Sequence, residues 1–334
     1  MDFGFNDEQS EIKGTAKQFL ADRFKPDVVR ELAEAGSYDD ALWKEICELG
    51  WPGIAISEAD GGQGLGMVEL IILCEELGYA CAPTPFLSNA AAGLALAAAG
   101  SDEQRGRYLA GSASGEVRGT VGVTGAGSNG AGPLVPDADG AEFIVLIDGD
   151  QGVVVDGSAA TLSPVDAIDS TRRYARVAAD GEPLEGDVAA ARDRIAVAIA
   201  AELTGIAQRA LDMSVAYAKD RQQFGRPIGA YQGVSHTCAR MFYDLEEARS
   251  LTYYAAWVAD AEPESLPLAA AMAKARASDA AWEVTKAAIQ VHGGIGFTWE
   301  HDLHFLLKRA RAAGQLFGTA AEHRDRVATL AGMS

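Results

Sequence analysis

The sequence predicts a mainly α protein with a small β domain in its middle, and three observations carry that prediction. Apolar residues recur at helical spacing through the first third of the chain. From about Glu116 the period shortens to that of strands. From Val188 onward Ala, Leu and Glu dominate and helical spacing returns. The expected order is an N-terminal helical domain (1–115), a middle β domain (116–187) and a C-terminal bundle of four-helix type (188–334).

Asp7 is placed to cap a first helix whose apolar positions Ile12, Ala16, Phe19 and Leu20 follow helical spacing. A further helix is expected over Tyr38–Leu49, closed by Gly50. Trp51–Ile56 is a short apolar run, and the Gly61-Gly62-Gln63-Gly64 loop after it must bend sharply or let something approach its backbone. Met67–Tyr79 reads as a buried helix. Pro83 and Pro85 then break the chain before an Ala-rich helix, and Ser101-Asp102-Glu103-Gln104 starts another that closes within Gly111–Gly115. In the middle domain Val117–Thr124, Glu142–Ile147, Val153–Val155 and Thr171–Val177 are strand-like. The C-terminal bundle is interrupted near 225–229, 261–267 and 293–298.

A chain of 334 residues with 48% hydrophobic content can bury a large core and form more than one domain. Its 28 basic against 48 acidic residues give a formal net charge of -20. Such a chain repels nucleic acid phosphates and anionic membranes, so neither is an expected partner, and an anionic small ligand needs a local basic patch. Cys47, Cys74, Cys81 and Cys238 sit singly in apolar surroundings, without CxxC spacing, as expected of reduced thiols in a cytoplasmic protein. The first residues carry acids and no basic n-region, so no signal peptide is expected. The Ala90–Gly100 stretch is too short to span a bilayer.

Gly125-Ala126-Gly127-Ser128-Asn129-Gly130 matches the GxGxxG pattern, but the fingerprint needs a helix opening at its third glycine. Pro133 and Pro136 follow instead, so a loop of the β domain is expected. His301 and His304 stand three apart on an expected helix, without the HExxH pattern or acidic third ligand of a metal site.

The stretch Arg221-Gln222-Gln223-Phe224-Gly225-Arg226-Pro227-Ile228-Gly229-Ala230-Tyr231-Gln232 concentrates recognition chemistry at a break between two long helical segments. Gly and Pro end the helix, while two arginines, two aromatics and three glutamines surround the break. In Gln290-Val291-His292-Gly293-Gly294-Ile295-Gly296-Phe297 an apolar helix ends in three glycines, where a helix terminus accounts for one.

With Leu49-Gly50-Trp51-Pro52-Gly53, Asp60–Gly64 and Glu75-Glu76-Leu77-Gly78, these two motifs resemble the acyl-CoA dehydrogenase family of flavoenzymes over nearly the whole chain. The resemblance implies a fold in the order α, β, α. It also implies that the two C-terminal motifs bind the ADP half of an FAD belonging mainly to the neighbouring subunit. Arg221 would pair with the pyrophosphate, Phe224 and Gln232 would contact the nucleotide, and Gln290 with the Gly293-Gly294 backbone would line the adenosine end. The family reaction removes an α proton from an acyl-CoA thioester and passes a β hydride to the flavin, which demands a positioned, desolvated carboxylate base.

In many members that glutamate directly precedes a Gly-Thr pair near the C-terminus, where this chain has Phe317. Others place it on the first long helix of the third domain, where this chain has Ile195. Neither side chain accepts a proton. Glu202, Glu300 and Glu322 lie near, but match neither position, and are expected to be solvated or salt-bridged helix acids. The middle domain keeps only Val123–Asn129 of the usual flavin-facing segment and has no Trp between Trp51 and Trp257. This joint loss is similar to the smaller subunit of actinobacterial heteromeric (α2β2) acyl-CoA dehydrogenases acting on steroid side chains. It implies a homologous partner subunit that supplies the base and the flavin-ring pocket, with an electron-transfer flavoprotein-like acceptor. A homomeric enzyme with Glu202 or Glu300 as an unusual base, and a flavin-free scaffolding subunit, stay open as alternatives.

Overall fold

The computed structural model describes residues 4–124 and 132–333. Six helices come first: α1 (Asp7–Arg23), α2 (Pro26–Ala35), α3 (Asp40–Glu48), α4 (Met67–Ala80), α5 (Phe86–Ala99) and α6 (Asp102–Ser114). Asn6, not Asp7, caps α1. Its side chain accepts from the Gln9 N–H at 2.8 Å, and the Gln9 side chain accepts from the Asn6 N–H at 3.1 Å. That reciprocal capping box satisfies two donors at once, whereas a single acid satisfies one. Trp51–Gly53 forms a short 3-10 turn, and α4 and α5 are buried almost all round.

The β region comprises β1 (Gly119–Val123), β2 (Leu134–Pro136), β3 (Phe143–Asp148), β4 (Gln151–Asp156), β5 (Thr161–Val165), β6 (Tyr174–Ala178) and β7 (Glu182–Pro183). One sheet runs β1-β3-β4-β7, with β1 parallel to β3 (Gly119 opposite Phe143) and the other pairs antiparallel. The second is the antiparallel β2-β6-β5. Val135, Ile144, Leu146, Val155, Ala175 and Val177 form a small core of their own in this region. Val121, Phe143, Val145 and Ile147 instead join the main core, which runs through the helices. The strand expected over Thr171–Val177 begins only at Tyr174, because Thr171 and Arg172 turn inward to a buried ionic network. The Gly125–Gly130 pattern lies outside the described residues.

The C-terminal part holds α7 (Val188–Asp220), the two-residue strands β8 (Gln222–Gln223) and β9 (Arg226–Pro227), α8 (Gln232–Ala261), α9 (Leu266–His292), α10 (Leu303–Ala313) and α11 (Ala320–Leu330). Helix α10 starts after His301, so His301 and His304 do not share one helix as expected. Helix α9 packs along both α7 and α8. The alternation of direction brings the end of α7, the start of α8 and the end of α9 to one end of the bundle. Helices α4 and α7 cross at glycines: a Cβ on Gly205 would stand 1.9 Å from the Glu75 carbonyl oxygen, and one on Gly78 2.1 Å from that of Glu202. Only hydrogen fits there, and this close approach fixes the position of the α7 face that carries Ile195 and Glu202. No described helix is long and apolar enough to cross a membrane. All four cysteines are free, Cys74 and Cys81 buried and Cys47 and Cys238 half-buried.

Candidate functional site

The recognition corner is a β-hairpin. Gln223 pairs with Arg226 and Gln222 with Pro227, leaving Phe224-Gly225 as a two-residue loop. Both loop residues have positive φ, 52° and 80°, the backbone of a type I′ turn that matches strand twist. Glycine accepts that conformation freely, but a phenylalanine there is strained. Its ring is also 92% exposed and meets the Tyr231 ring edge-on at 6.3 Å. A bulky apolar residue held in strain and in water contributes nothing to the stability of its own chain. The hairpin is braced from below. The Tyr231 hydroxyl donates to the Gln223 carbonyl at 3.1 Å, the Arg226 guanidinium lies 4.1 Å from the Tyr231 ring centre, and the Ile228 N–H donates to the Arg221 carbonyl at 2.8 Å.

Arg221 ends α7 with its side chain exposed and without a hydrogen-bond or ion-pair partner among the described residues. Helix α8 begins at Gln232 with no side-chain cap, so its first N–H groups stay available at the positive end of a 30-residue helix. The second glycine motif stands at the same end of the bundle. The Tyr217 ring on the last turn of α7 stacks on His292 at the end of α9, with ring centres 4.5 Å apart. Burial holds the His292 imidazole below its ordinary value, and its Nδ1 bonds the Ala288 carbonyl at 2.8 Å. Gln290, Gly293 and Gly294 are exposed, and Gly293 turns the chain at φ 61°. Phe297, 84% exposed, follows. The loop is anchored from α2, where Arg30 donates to the Trp299 carbonyl at 2.7 Å and to Asp302 at 2.6 Å. An unpaired guanidinium, free helix N–H groups and a presented aromatic ring are a donor set suited to a phosphate-bearing nucleotide.

The two base positions differ from this arm in every respect. Ile195 is fully buried in α7. Phe317 is half-buried and packed against the main core in a left-handed turn, φ 57°, followed by Gly318 at 104°. That turn is locked. His323 Nε2 donates to the Phe317 carbonyl at 2.9 Å, and the buried Lys274 ammonium donates to the Gly318 carbonyl at 2.9 Å, and to the Gly314 carbonyl and Ser278 Oγ at 3.1 Å each. Burial pulls the Lys274 amine down to about 7 and the His323 imidazole to about 4. Neither residue was singled out in the sequence; Lys274 in the Ala-rich run of α9 was the available signal.

Of the three nearby carboxylates, Glu300 and Glu322 are exposed, and Glu322 accepts from the Thr319 N–H at 2.7 Å as part of the α11 cap. Glu202 is salt-bridged, one of the two outcomes expected, but inside the protein rather than at its surface. It is 2% exposed and accepts from Arg172 Nη2 at 2.7 Å and Arg309 Nη2 at 2.6 Å. Burial alone would raise its carboxyl, but the two guanidinium groups outweigh that and bring it down to about 2. Arg309 also donates to the Ala82 carbonyl at 2.9 Å and to Thr171 Oγ1 at 3.1 Å. Arg172 reaches Asp137 at 3.9 Å, which in turn accepts from Ser88 Oγ at 2.5 Å and from the Tyr38 hydroxyl. A carboxylate so strongly held in its ionised form is a poor proton acceptor at neutral pH. The network ties the α4–α5 turn, α5, α7, α10 and the segment before β6 together. The sequence did not reveal it: Arg309 stands in the basic run Lys308-Arg309-Ala310-Arg311, where an exposed arginine is the ordinary expectation.

Family models cover most of the chain. Residues 6–116 match the acyl-CoA dehydrogenase N-terminal domain and residues 189–331 the C-terminal domain. The acyl-CoA dehydrogenase IpdE2 of Mycolicibacterium smegmatis is 34% identical over 324 residues, spanning 96% of this chain and 98% of that protein. FadE34 of Mycobacterium tuberculosis is 34% identical over 97% of this chain but only 48% of its own length. Among solved structures, a variant of the Tcur3481–Tcur3483 steroid ACAD superposes with a TM-score of 0.88 at 28% identity, covering 98% of both chains. The chain belongs to the acyl-CoA dehydrogenase family.

Proposed function

We propose that the chain is a subunit of an FAD-dependent acyl-CoA dehydrogenase that lends a binding arm for the ADP half of FAD to a homologous partner, which supplies the base. In this reading the chain divides at 115/116 and 187/188. The observation that carries it is the coexistence of an outward-facing arm at Arg221–Gln232, whose Arg221 side chain has no partner among the described residues, with apolar side chains at both base positions, Ile195 and Phe317. The arm's donor set fits the group. Arg221 would pair with the pyrophosphate, the α8 N-terminus would add N–H donors, and Phe224 and Gln232 would contact the nucleotide. Gln290 with Gly293 and Gly294 would line the adenosine end; nothing stands within 4 Å of where a Cβ on either glycine would be. FAD, when bound, would take up the hydride leaving the β carbon of the thioester. The residues of this chain bind and orient, and none at the two base positions moves a proton.

The relatives support the assembly and substrate class. One solved relative is named for two components and for a steroid substrate, and FadE34 is about twice as long as the region this chain matches. We take the substrate to be an acyl-CoA thioester of a steroid side chain, the acceptor to be of the electron-transfer flavoprotein class, and the setting to be the cytoplasm. Glu202 as an independent base runs against its two guanidinium partners, and Glu300 is exposed to water. The test is flavin content. The chain is co-purified with a homologous partner, and flavin absorbance per complex is compared for Arg221 and Arg221→Ala. Losing a charge-assisted contact worth about 1.5–3 kcal/mol weakens retention by about 10- to 100-fold. Unchanged flavin in the variant would contradict the reading and favour a flavin-free scaffold.

A further inference from the structure

A cavity of about 300 Å³ is lined by residues of α1, α2, α4, α7 and α10 and of the turns beside them, with none of the arm residues Arg221–Gln232 among them. That volume is at the lower end of small-molecule pockets, about 300–1,000 Å³. Its walls are apolar: Leu20 and Phe24 at the end of α1, Val29 of α2, Met213 of α7, and Phe305 with Leu306 of α10. Ala80 and Cys81 close one side, Cys81 in a left-handed turn (φ 51°) that takes the chain off α4. Burial pushes the Cys81 thiol up to about 12, so this wall is neutral. The next residue, Ala82, accepts from Arg309, which places the buried ionic network behind the wall.

The charges at the mouth are unequal in their commitments. Glu76 is paired with Lys13 at 2.8 Å, and Asp302 with Arg30 at 2.6 Å. Among the described residues, Lys17 and Lys25 make no ion pair or hydrogen bond through their side chains. Arg209 lies 5.3 Å from the ring centre of Tyr79, whose hydroxyl donates to Asp212 at 3.1 Å, and forms no ion pair among the described residues. The two acids are neutralised and the three cations are not. That is a local excess of positive charge on a chain whose net charge is -20, and it borders an apolar hole. A ligand with an apolar body and one anionic head satisfies both halves of the site. We propose that this cavity binds an apolar monocarboxylate, of the kind a medium-chain fatty acid anion represents, at a site separate from the flavin arm.

Isothermal titration calorimetry of the purified chain with sodium decanoate tests this directly. The expected result is saturable binding of one decanoate per chain, weakened about tenfold or more when Lys17→Gln, Lys25→Gln and Arg209→Gln are combined. Decanol, which shares the apolar body but not the charge, should bind the wild type and this triple variant equally. Ala21→Trp, which adds bulk at an exposed lining position of α1, should reduce the binding of both ligands. Circular dichroism melting establishes that each variant is folded. The proposal is overturned if folded wild type shows no saturable binding, if the triple variant binds decanoate as tightly as wild type, or if decyltrimethylammonium binds as well as decanoate.

Discussion

Replacing Glu202 by Gln removes one negative charge from between two buried guanidinium groups while keeping the side-chain shape. Two independent routes give the cost. Breaking a buried ion pair from one side costs about 3–5 kcal/mol, because the partner charges are left uncompensated. The carboxyl is held at about 2 against an ordinary 4.5, and at 1.36 kcal/mol per pH unit that gap is worth about 3 kcal/mol. The sign follows from the lowered value. The unfolded chain takes up the proton first as the solution is acidified, so the stabilisation is complete above about 4.5 and is lost as pH falls toward 2. The assay is urea denaturation of wild type and Glu202→Gln, followed by circular dichroism, at pH 7 and at steps down from pH 5. The expected difference is about 3 kcal/mol at pH 7, narrowing below about 4.5. A difference under about 1 kcal/mol at pH 7 would refute the assignment of Glu202 as the hub of the ionic network, and so would one that stays constant through acidification.

Phe224→Gly relieves a left-handed backbone that glycine adopts freely, so the isolated chain should gain about 1 kcal/mol in urea denaturation while flavin retention by the complex falls. Stability unchanged or lowered would contradict the strain assigned to this residue. Lys274, pulled down to about 7 by burial, loses its proton in the folded chain before the unfolded one. Wild type should therefore gain stability between about pH 7 and 10.5 relative to Lys274→Met, whereas a parallel pH profile for the two would remove the amine from this account.

The order of helices, β region and helices was legible because long apolar stripes repeat at 3.6 residues and the break at Glu116 shortens the period. The arm was legible because Gly225, Pro227 and Gly229 cannot continue a helix. Three strands of the β region were not: β2, β5 and β7 are two to five residues long and each contains a proline, Pro136, Pro164 and Pro183. Proline marks edge or short strands and erases the alternation a sequence reading depends on. The depth of Glu202 was also hidden. Its helix is Ala-rich on every side, so periodicity does not say which face meets α4; that is decided by Gly78 and Gly205, which bring the two backbones together. The partners of Glu202 come from positions 30 and 107 residues away, a pairing that no local pattern contains. Phe317 and Ile195 were identifiable as substitutions at base positions only through the family resemblance, since an apolar residue in an apolar helix or turn attracts no notice by itself.

The central claim is that this chain contributes binding but no base to acyl-CoA oxidation, and turnover measures it most directly. The purified chain, saturated with FAD and given an acyl-CoA thioester and a dye acceptor, should show no oxidation above background. Adding a homologous partner with a glutamate at a base position should restore it. Turnover by the chain alone, at a rate comparable to the mixture, would contradict the account.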